Sequence, residues 1–352
     1  MIDKRILNID NLRQFLQNCF FKVGVPEEDC VIVTDNLLKA ELWGIDTHGI
    51  SRFPIYLRRL QKGLVNPKPK IRIEKRLVAV LLVDGDNGLG SVVTAKSLNK
   101  GMAVADTYGV CAVGIKRSNH FGAAGYYSNL GAQKGYITII LTNGPPAIPP
   151  WGGKEPYFGT NPLAFGLPRQ GKPPIIVDLA TSLVARGKII RAAKEGKPIP
   201  PDWALNKEGY PTTKAEEALE GILLPMAGPK GYALSLAVEY LAGVLAGAGF
   251  GRDVAWQYGN SETEANVGHL LILLKPEAFL DPTDYYSRTE RFCEEIKSIA
   301  LAPDSPGIRL PGERGYKLEQ ELRKKGIEVT ENLANELWTI ARELCVPLES
   351  RV

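Results

Sequence analysis

Five short runs of branched apolar residues, at 78–84, 110–115, 137–141, 175–179 and 270–274, constrain the fold more than any other feature of the sequence. Each is too short for a globular helix, and each is bounded by turn formers or by stretches of helical periodicity. That pattern predicts a mixed α/β protein: a central mixed β-sheet covered by helices. Two helices open the chain. Asp10 is placed to cap the first, over 11–22, and Pro26 with Glu27, Glu28 and Asp29 starts the second. The second should end near Trp43, with Gly44 as a left-handed cap. Ser51 is placed to cap a third helix that carries Pro54 in its first turn and stops at Gly63. The extended Asn66-Pro67-Lys68-Pro69 then sets a boundary near residue 75, and helical periodicity returns over 288–300 and 331–345.

A chain of 352 residues exceeds what one core usually serves, about 250 to 300 residues. Two units are therefore expected: a helical domain from both termini, 1–75 with 285–352, and a sheet domain over 76–284. The formal charge of +4 is dispersed, and its basic clusters are short and lack interleaved aromatics, so nucleic acid is not an expected partner. Five widely separated cysteines with no C-x-x-C pair point to reduced thiols, a cytoplasmic setting and no structural zinc. Residues 1–10 are too polar for a signal peptide. The longest apolar stretch, 232–250, carries Glu239 in its middle and many small residues, so it reads as a buried, closely packed helix and not as a membrane span.

Thirty-six glycines invite a search for a dinucleotide-binding turn, yet no G-x-G-x-x-G follows a strand. Gly85-Asp86-Asn87-Gly88-Leu89-Gly90 has the spacing inverted, and Gly247-Ala248-Gly249-Phe250-Gly251 follows a helix. A Rossmann fold is therefore not expected, nor is a Walker A loop. Gly228-Pro229-Lys230-Gly231 precedes a helix whose N-terminus could hold a phosphate with Lys230 as counter-charge, although such a segment is by default only a helix start.

Only three histidines are available for proton transfer. His269 lies in an apolar run and reads as structural. His48 sits in the turn Asp46-Thr47-His48-Gly49, four residues before Arg52. An imidazole beside a guanidinium and a helix N-terminus can move a hydroxyl proton while holding a carboxylate, though a lone histidine in a turn is more often structural. His120 follows the strand at 110–115, where ligands commonly bind in open sheets, and could equally be a capping group. Asp178 ends another strand and could orient an imidazole, meet a ribose hydroxyl or simply cap a helix. Asp46, His48 and His120 could be imagined around a metal, but no H-x-x-x-H or H-E-x-x-H spacing supports one.

Taken together, several ordered motifs resemble the second, non-Rossmann malate/L-lactate dehydrogenase family, whose members include ureidoglycolate dehydrogenase, sulfolactate dehydrogenase and diketogulonate reductase. The likeness covers nearly the whole chain. It is carried by Gly44-Ile45-Asp46-Thr47-His48-Gly49 with Arg52, Ser118-Asn119-His120-Phe121-Gly122, Trp151-Gly152-Gly153, Gly159-Thr160-Asn161-Pro162, Asp178-Leu179-Ala180-Thr181-Ser182, Gly228-Pro229-Lys230-Gly231-Tyr232 and Pro311-Gly312-Glu313. The resemblance implies a homodimer that binds NAD or NADP between the sheet and helical domains and exchanges hydride with a small (S)-2-hydroxy or 2-oxo acid. It implies His48 as the proton-transfer group, with His120 as the rival favoured in the ureidoglycolate branch. Asp178 or Thr47 would steady the imidazole, Arg52 would clamp the carboxylate, and Asn143, Thr160 and His120 would shape the pocket. Cofactor contacts are implied for His120, Phe121, Gly122, Ala123 and Ala124, for Asp178, Leu179 and Ala180, for Lys230, and for Pro311, Gly312 and Glu313.

The substrate stays open at this level. Thr142-Asn143-Gly144-Pro145-Pro146 looks like malate and sulfolactate members, whereas Ile199-Pro200-Pro201-Asp202-Trp203-Ala204 and 223–252 look like the ureidoglycolate branch, which would carry a serine near Gly144. Reduction of an imine or a diketo acid needs the same parts. A metal-dependent hydrolase or lyase centred on the two histidines is the alternative from another class.

Overall fold

A computed structural model describes residues 4–257 and 262–349. A short strand, β1 (Lys4–Leu7), leads into α1 (Ile9–Lys22), α2 (Glu27–Leu42) and α3 (Phe53–Gln61). The cap of α1 is Asn8, whose side chain accepts from the N–H groups of Asp10 and Asn11, so Asp10 lies inside the first turn. The helix starts earlier than expected because its buried stripe begins at Ile9. Gly44 takes the left-handed conformation expected of it, at φ 72°, and Ile45 N–H reaches back to Ala40 O. Phe15 and Phe20 meet Phe53 edge-on, at 5.8 and 5.3 Å between ring centres, and tie α1 to α3.

The sheet region follows with β2 (Arg72–Leu77), β3 (Val80–Asp84), α4 (Gly90–Tyr108), β4 (Val110–Ser118), α5 (Ala124–Gln133), β5 (Ile137–Thr142), β6 (Leu163–Leu167) and β7 (Ile175–Leu179). After them come α6 (Arg186–Lys194), β8 (Ala204–Leu205), α7 (Ala215–Glu220), β9 (Ile222–Leu223), α8 (Pro229–Glu239) and β10 (Val267–Leu274). The chain ends with α9 (Pro282–Ser298), α10 (Glu313–Lys325), β11 (Ile327–Thr330) and α11 (Glu331–Leu344). Seven strands form one mixed sheet in the order β2-β3-β4-β10-β5-β6-β7, in which β3 and β4 run parallel and the other neighbours antiparallel. The five runs seen in the sequence are β3, β4, β5, β7 and β10. β2 and β6 are additions. β2 is exposed along its whole length and rich in Arg, Lys and Glu, which suits a sheet edge and hides its strand character. β6 carries Gly166, where a Cβ would lie 2.2 Å from Ser128 O of the crossing helix.

Alternating residues serve the two faces of the sheet. Val113, Ile115, Ile140, Leu271 and Leu273 pack with α4 and α5, while Leu141, Leu163 and Leu270 pack with Val238 of α8. A separate core joins α1, α2, α3 and α11, closed by antiparallel pairing of β1 with β11. α9 lies against the sheet, where Cys293 meets Ile175 and Leu310 and Glu290 accepts two 2.8 Å bonds from Arg169.

The stretch 232–250 departs from the expectation of a fully buried helix. α8 stops at Glu239 and continues as a π-type turn, Tyr240–Val244. One side is buried through Ser235, Val238, Glu239 and Ala242, but Leu236, Tyr240 and Val244 are exposed on the other. No helix among the described residues is long and apolar enough to cross a membrane.

Candidate active site

The end of α2 throws the chain into two consecutive 3-10 turns, Asp46–His48 and Ile50–Arg52, before α3 begins at Phe53. Ser51 is therefore inside a turn and not a helix cap; its hydroxyl donates to Asp46 O at 2.6 Å. This compact junction puts His48 and Arg52 on either side of Thr47. Thr47 Oγ1 lies 3.0 Å from His48 Nδ1, and Thr47 O accepts from Arg52 Nε at 2.5 Å. Asp46 closes the turn by accepting from Thr47 N–H at 3.0 Å.

His120 reaches the same place from the loop after β4. Its ring lies 5.4 Å from that of His48, stacked at 24°. Tyr56, one turn along α3 from Arg52, bonds His120 Nδ1 at 2.5 Å, and Gly122 N–H points at the same nitrogen from 3.3 Å. A backbone N–H can only donate, so Nδ1 carries a lone pair and a neutral His120 carries its proton on Nε2. Burial, reinforced by Arg52, pushes His48 down to about 4. His120 is held well below the usual imidazole range by burial, then by Arg52, His48 and His269. Both rings are thus neutral near pH 7, able to accept a proton or donate a hydrogen bond. His269 is inside the sheet, bonded to Thr142 Oγ1 and Ser118 Oγ at 2.7 and 2.8 Å and stacked on Phe121. It is structural, as expected.

The remaining residues singled out in the sequence gather around the end of β7. Asp178 accepts from Gly125 N–H, in the first turn of α5, at 2.8 Å, which ties 178–180 to the loop 120–124. Its described hydrogen bond is made there, whereas His48 Nδ1 is met by Thr47 Oγ1. Gly122, at φ 81°, leaves no room for a side chain: a Cβ would lie 1.9 Å from Asn36 Oδ1. Ala123 and Ala124 are buried at the start of α5, and Phe121 is a core residue. Leu179 ends β7 paired with Leu163, and Ala180 is exposed beyond it. Pro311 O accepts from Ile176 N–H at 3.1 Å, Gly312 turns at φ 94°, and Glu313 accepts from Leu310 N–H at 3.1 Å, so that turn lies against β7. Thr181 O accepts from Met226 N–H at 2.8 Å, which brings the start of α8 alongside. Lys230 is exposed in the first turn of that helix. The carbonyl of Thr160 accepts from both Thr181 N–H and Thr181 Oγ1. Gly187 of α6 passes beside Thr47, where its Cβ would lie 3.5 Å from Thr47 Cγ2, and so joins this region to the histidine turn.

Asn143 is differently placed. It is buried, donates to Glu239 Oε1 and Gly249 O at 3.1 and 2.7 Å, and accepts from Gly268 N–H at 2.9 Å. Both its amide hydrogens are spent inside the protein. Two residues that the sequence reading missed belong to the site. Tyr56 had a signal, since the i,i+4 spacing from Arg52 puts both on one face of a helix. Glu41, whose Oε2 accepts from Ile50 N–H at 2.9 Å, had none. Among the described residues no group of three or more His, Cys, Asp or Glu is placed to hold a metal ion.

A mixed sheet without a dinucleotide fingerprint, with a histidine and an arginine converging on one turn, defines a hydroxy-acid dehydrogenase of non-Rossmann type. The chain belongs to the malate/L-lactate dehydrogenase family, a model of which matches residues 7–338. It is 40% identical over 347 residues to the L-sulfolactate dehydrogenase of Methanocaldococcus jannaschii, covering 99% of each chain. A solved structure of sulfolactate dehydrogenase from the same organism superposes with a TM-score of 0.92 at 39% identity, over 97% of this chain and 98% of that one. The NAD(+) ureidoglycolate dehydrogenase of Escherichia coli K12 is 33% identical over 324 residues, 92% of each chain.

Proposed function

We propose that the protein uses NAD or NADP to oxidise a small (S)-2-hydroxy acid reversibly, with His48 as the proton-transfer group and Arg52 as the carboxylate clamp. The observation that carries this reading is the shared hold of Thr47: its side chain meets His48 Nδ1 and its carbonyl meets Arg52 Nε. An acid whose carboxylate pairs with the guanidinium has its 2-hydroxyl beside the imidazole. Thr47 Oγ1 can accept from Nδ1–H of His48, and in that tautomer Nε2 is the base that takes the hydroxyl proton. His120, protonated on Nε2 by the argument above, donates a hydrogen bond to the substrate oxygen or to the cofactor. A hydroxyl partner leaves His48 free to take either tautomer, whereas Gly122 N–H holds His120 in one, which favours His48 for proton transfer.

The cofactor fits the segments that meet at the end of β7. The N-terminus of α8 is exposed there, and its Lys230 makes no ion pair among the described residues. A nicotinamide bound there supplies the hydride acceptor. Asp178 organises the cradle through Gly125, and the Pro311-Gly312-Glu313 turn forms its far side. Asn143 acts from behind by fixing the loop it shares with Glu239.

The substrate class is a small 2-hydroxy acid of the malate, lactate, sulfolactate or ureidoglycolate kind, in keeping with the names of the relatives. A homodimer is proposed on the exposed apolar stripe Leu236, Tyr240 and Val244, which light scattering in solution checks. A reducing, cytoplasmic setting is proposed from four buried free cysteines, and two units, 1–75 with 285–352 and 76–284, from the distinct helical and sheet cores, which meet where Leu89 and Val92 of the sheet unit pack into the helical core, while α9 packs on the sheet. Turnover of about a dozen hydroxy, oxo and imino acids with each cofactor tests the reading. If Arg52→Ala leaves kcat/KM for hydroxy acids intact, the clamp is wrong; if imino acids alone turn over, the imine-reductase alternative replaces it.

A further inference from the structure

We infer that Glu41 is the positioning residue of this site, holding the His48–Arg52 junction in register by accepting a hydrogen bond from Ile50 N–H. This rests on the roles given to His48 and Arg52 above. Glu41 lies in the last turn of α2, beneath the two 3-10 turns, and its Oε2 is 2.9 Å from Ile50 N. Gly49 makes the approach possible, since a Cβ there would sit 2.1 Å from the same oxygen. Ile50 is fully buried and begins the turn that carries Arg52, so one bond at its N–H anchors the turn between the two functional side chains. Among the described residues Glu41 makes no ion pair, which is unusual for a carboxylate so little exposed to water.

The charges around Glu41 leave it to this task. On α2 itself, Lys39 pairs with Glu319 of α10, Asp29 with Lys96 of α4, and Asp35 with Arg13 of α1. Tyr126 and Tyr127 of α5 are uncharged at neutral pH, their phenols pushed up by burial. From the turns above, Asp46 opposes the Glu41 charge, while Arg52 spends Nε on Thr47 O. Burial raises the Glu41 carboxyl to about 7, against the pull of the Ile50 N–H. Protonation of Glu41 weakens the bond it accepts from Ile50 N–H, so kcat/KM is expected to fall on the acid side of that ionisation.

The test compares Glu41→Ala, Glu41→Asp and Glu41→Gln with the parent in kinetics and in histidine 15N NMR. Three histidines make the spectrum assignable. Glu41→Ala and Glu41→Asp, which shortens the reach by one methylene, are expected to lose about 10- to 100-fold in kcat. Glu41→Gln keeps an acceptor oxygen and is expected to recover most of that rate while losing the ionisation near pH 7. In the spectra, Glu41→Ala should move the His48 signals and leave those of His269 in place. Unchanged kcat and His48 signals in both Ala and Asp variants, no rescue by Gln, or survival of the pH 7 limb in Gln would each overturn the inference. The NMR arm needs no turnover, so it decides about Glu41 even if the parent oxidises no hydroxy acid; that result would sink the functional reading instead. If Glu41→Ala does not fold, Asp and Gln carry the comparison.

Discussion

Two clusters of buried polar side chains lie on this scaffold, and they spend their hydrogen bonds differently. Around Glu239 the network is nearly closed: the carboxylate accepts from Asn143, Asn161 and Gly251 N–H, and Asn143 completes its own set with Gly249 and Gly268, while Asn161 Oδ1 is left unpaired among the described residues. Around His48 it does not close. The described hydrogen bonds of both site histidines use Nδ1, and their Nε2 atoms carry no hydrogen bond among the described residues. A nearly saturated network stabilises and has little left for a ligand. An unsaturated one costs stability and has donors and acceptors to offer.

The sharpest way to break this contrast is to truncate one member of each cluster. His48→Ala should lower kcat by about 10²- to 10⁴-fold while leaving the denaturant midpoint close to that of the parent. A larger loss from His120→Ala would hand proton transfer to His120. Glu239→Ala should do the reverse and cost at least about 3 kcal/mol of stability, because three buried donors lose their acceptor. Chemical unfolding measures it, and a loss well under 1 kcal/mol would mean water rescues the network.

Acid should sharpen the contrast further. His48 near 4 and His269 near 3 are both neutral in the folded protein at pH values where the unfolded chain, near 6.5, takes up protons. Their folded values are depressed, so stability is full above about pH 6.5 and falls as pH drops toward those values. Glu41, raised to about 7, slopes the other way, so the test is the difference in unfolding midpoints between the parent and His269→Gln from pH 7 to 4; identical profiles contradict it. Replacing His269 with Gln should remove part of the slope without touching the pH profile of kcat. The smallest effect belongs to the surface: Lys230→Ala should weaken cofactor affinity about 3- to 10-fold and leave kcat within about twofold, as expected for one exposed charge on a phosphate.

The sheet was legible where strands are apolar and continuous, as in β3, β4, β5, β7 and β10. It was hidden in β2, whose edge position calls for charge, and in β6, where close helix packing demands glycine. The His48–Arg52 pair was legible because four residues across a helix start are close whatever the rest of the chain does. The hydrogen bonds of Asn143 were not legible, because its partners Glu239 and Gly249 lie about a hundred residues away in the chain.

Local chemistry therefore settled which side chains could act: a turn-borne imidazole, a guanidinium four residues on, and a lysine at a helix start need only short stretches of chain. The choice among them came from contacts made across the fold. Tyr56 meets His120 over a separation of 64 residues at the same nitrogen that Gly122 N–H addresses, and the N–H assigns the ring proton to Nε2. A tautomer depends on what stands within 3 Å of each nitrogen, and folding, not spacing, decides what stands there.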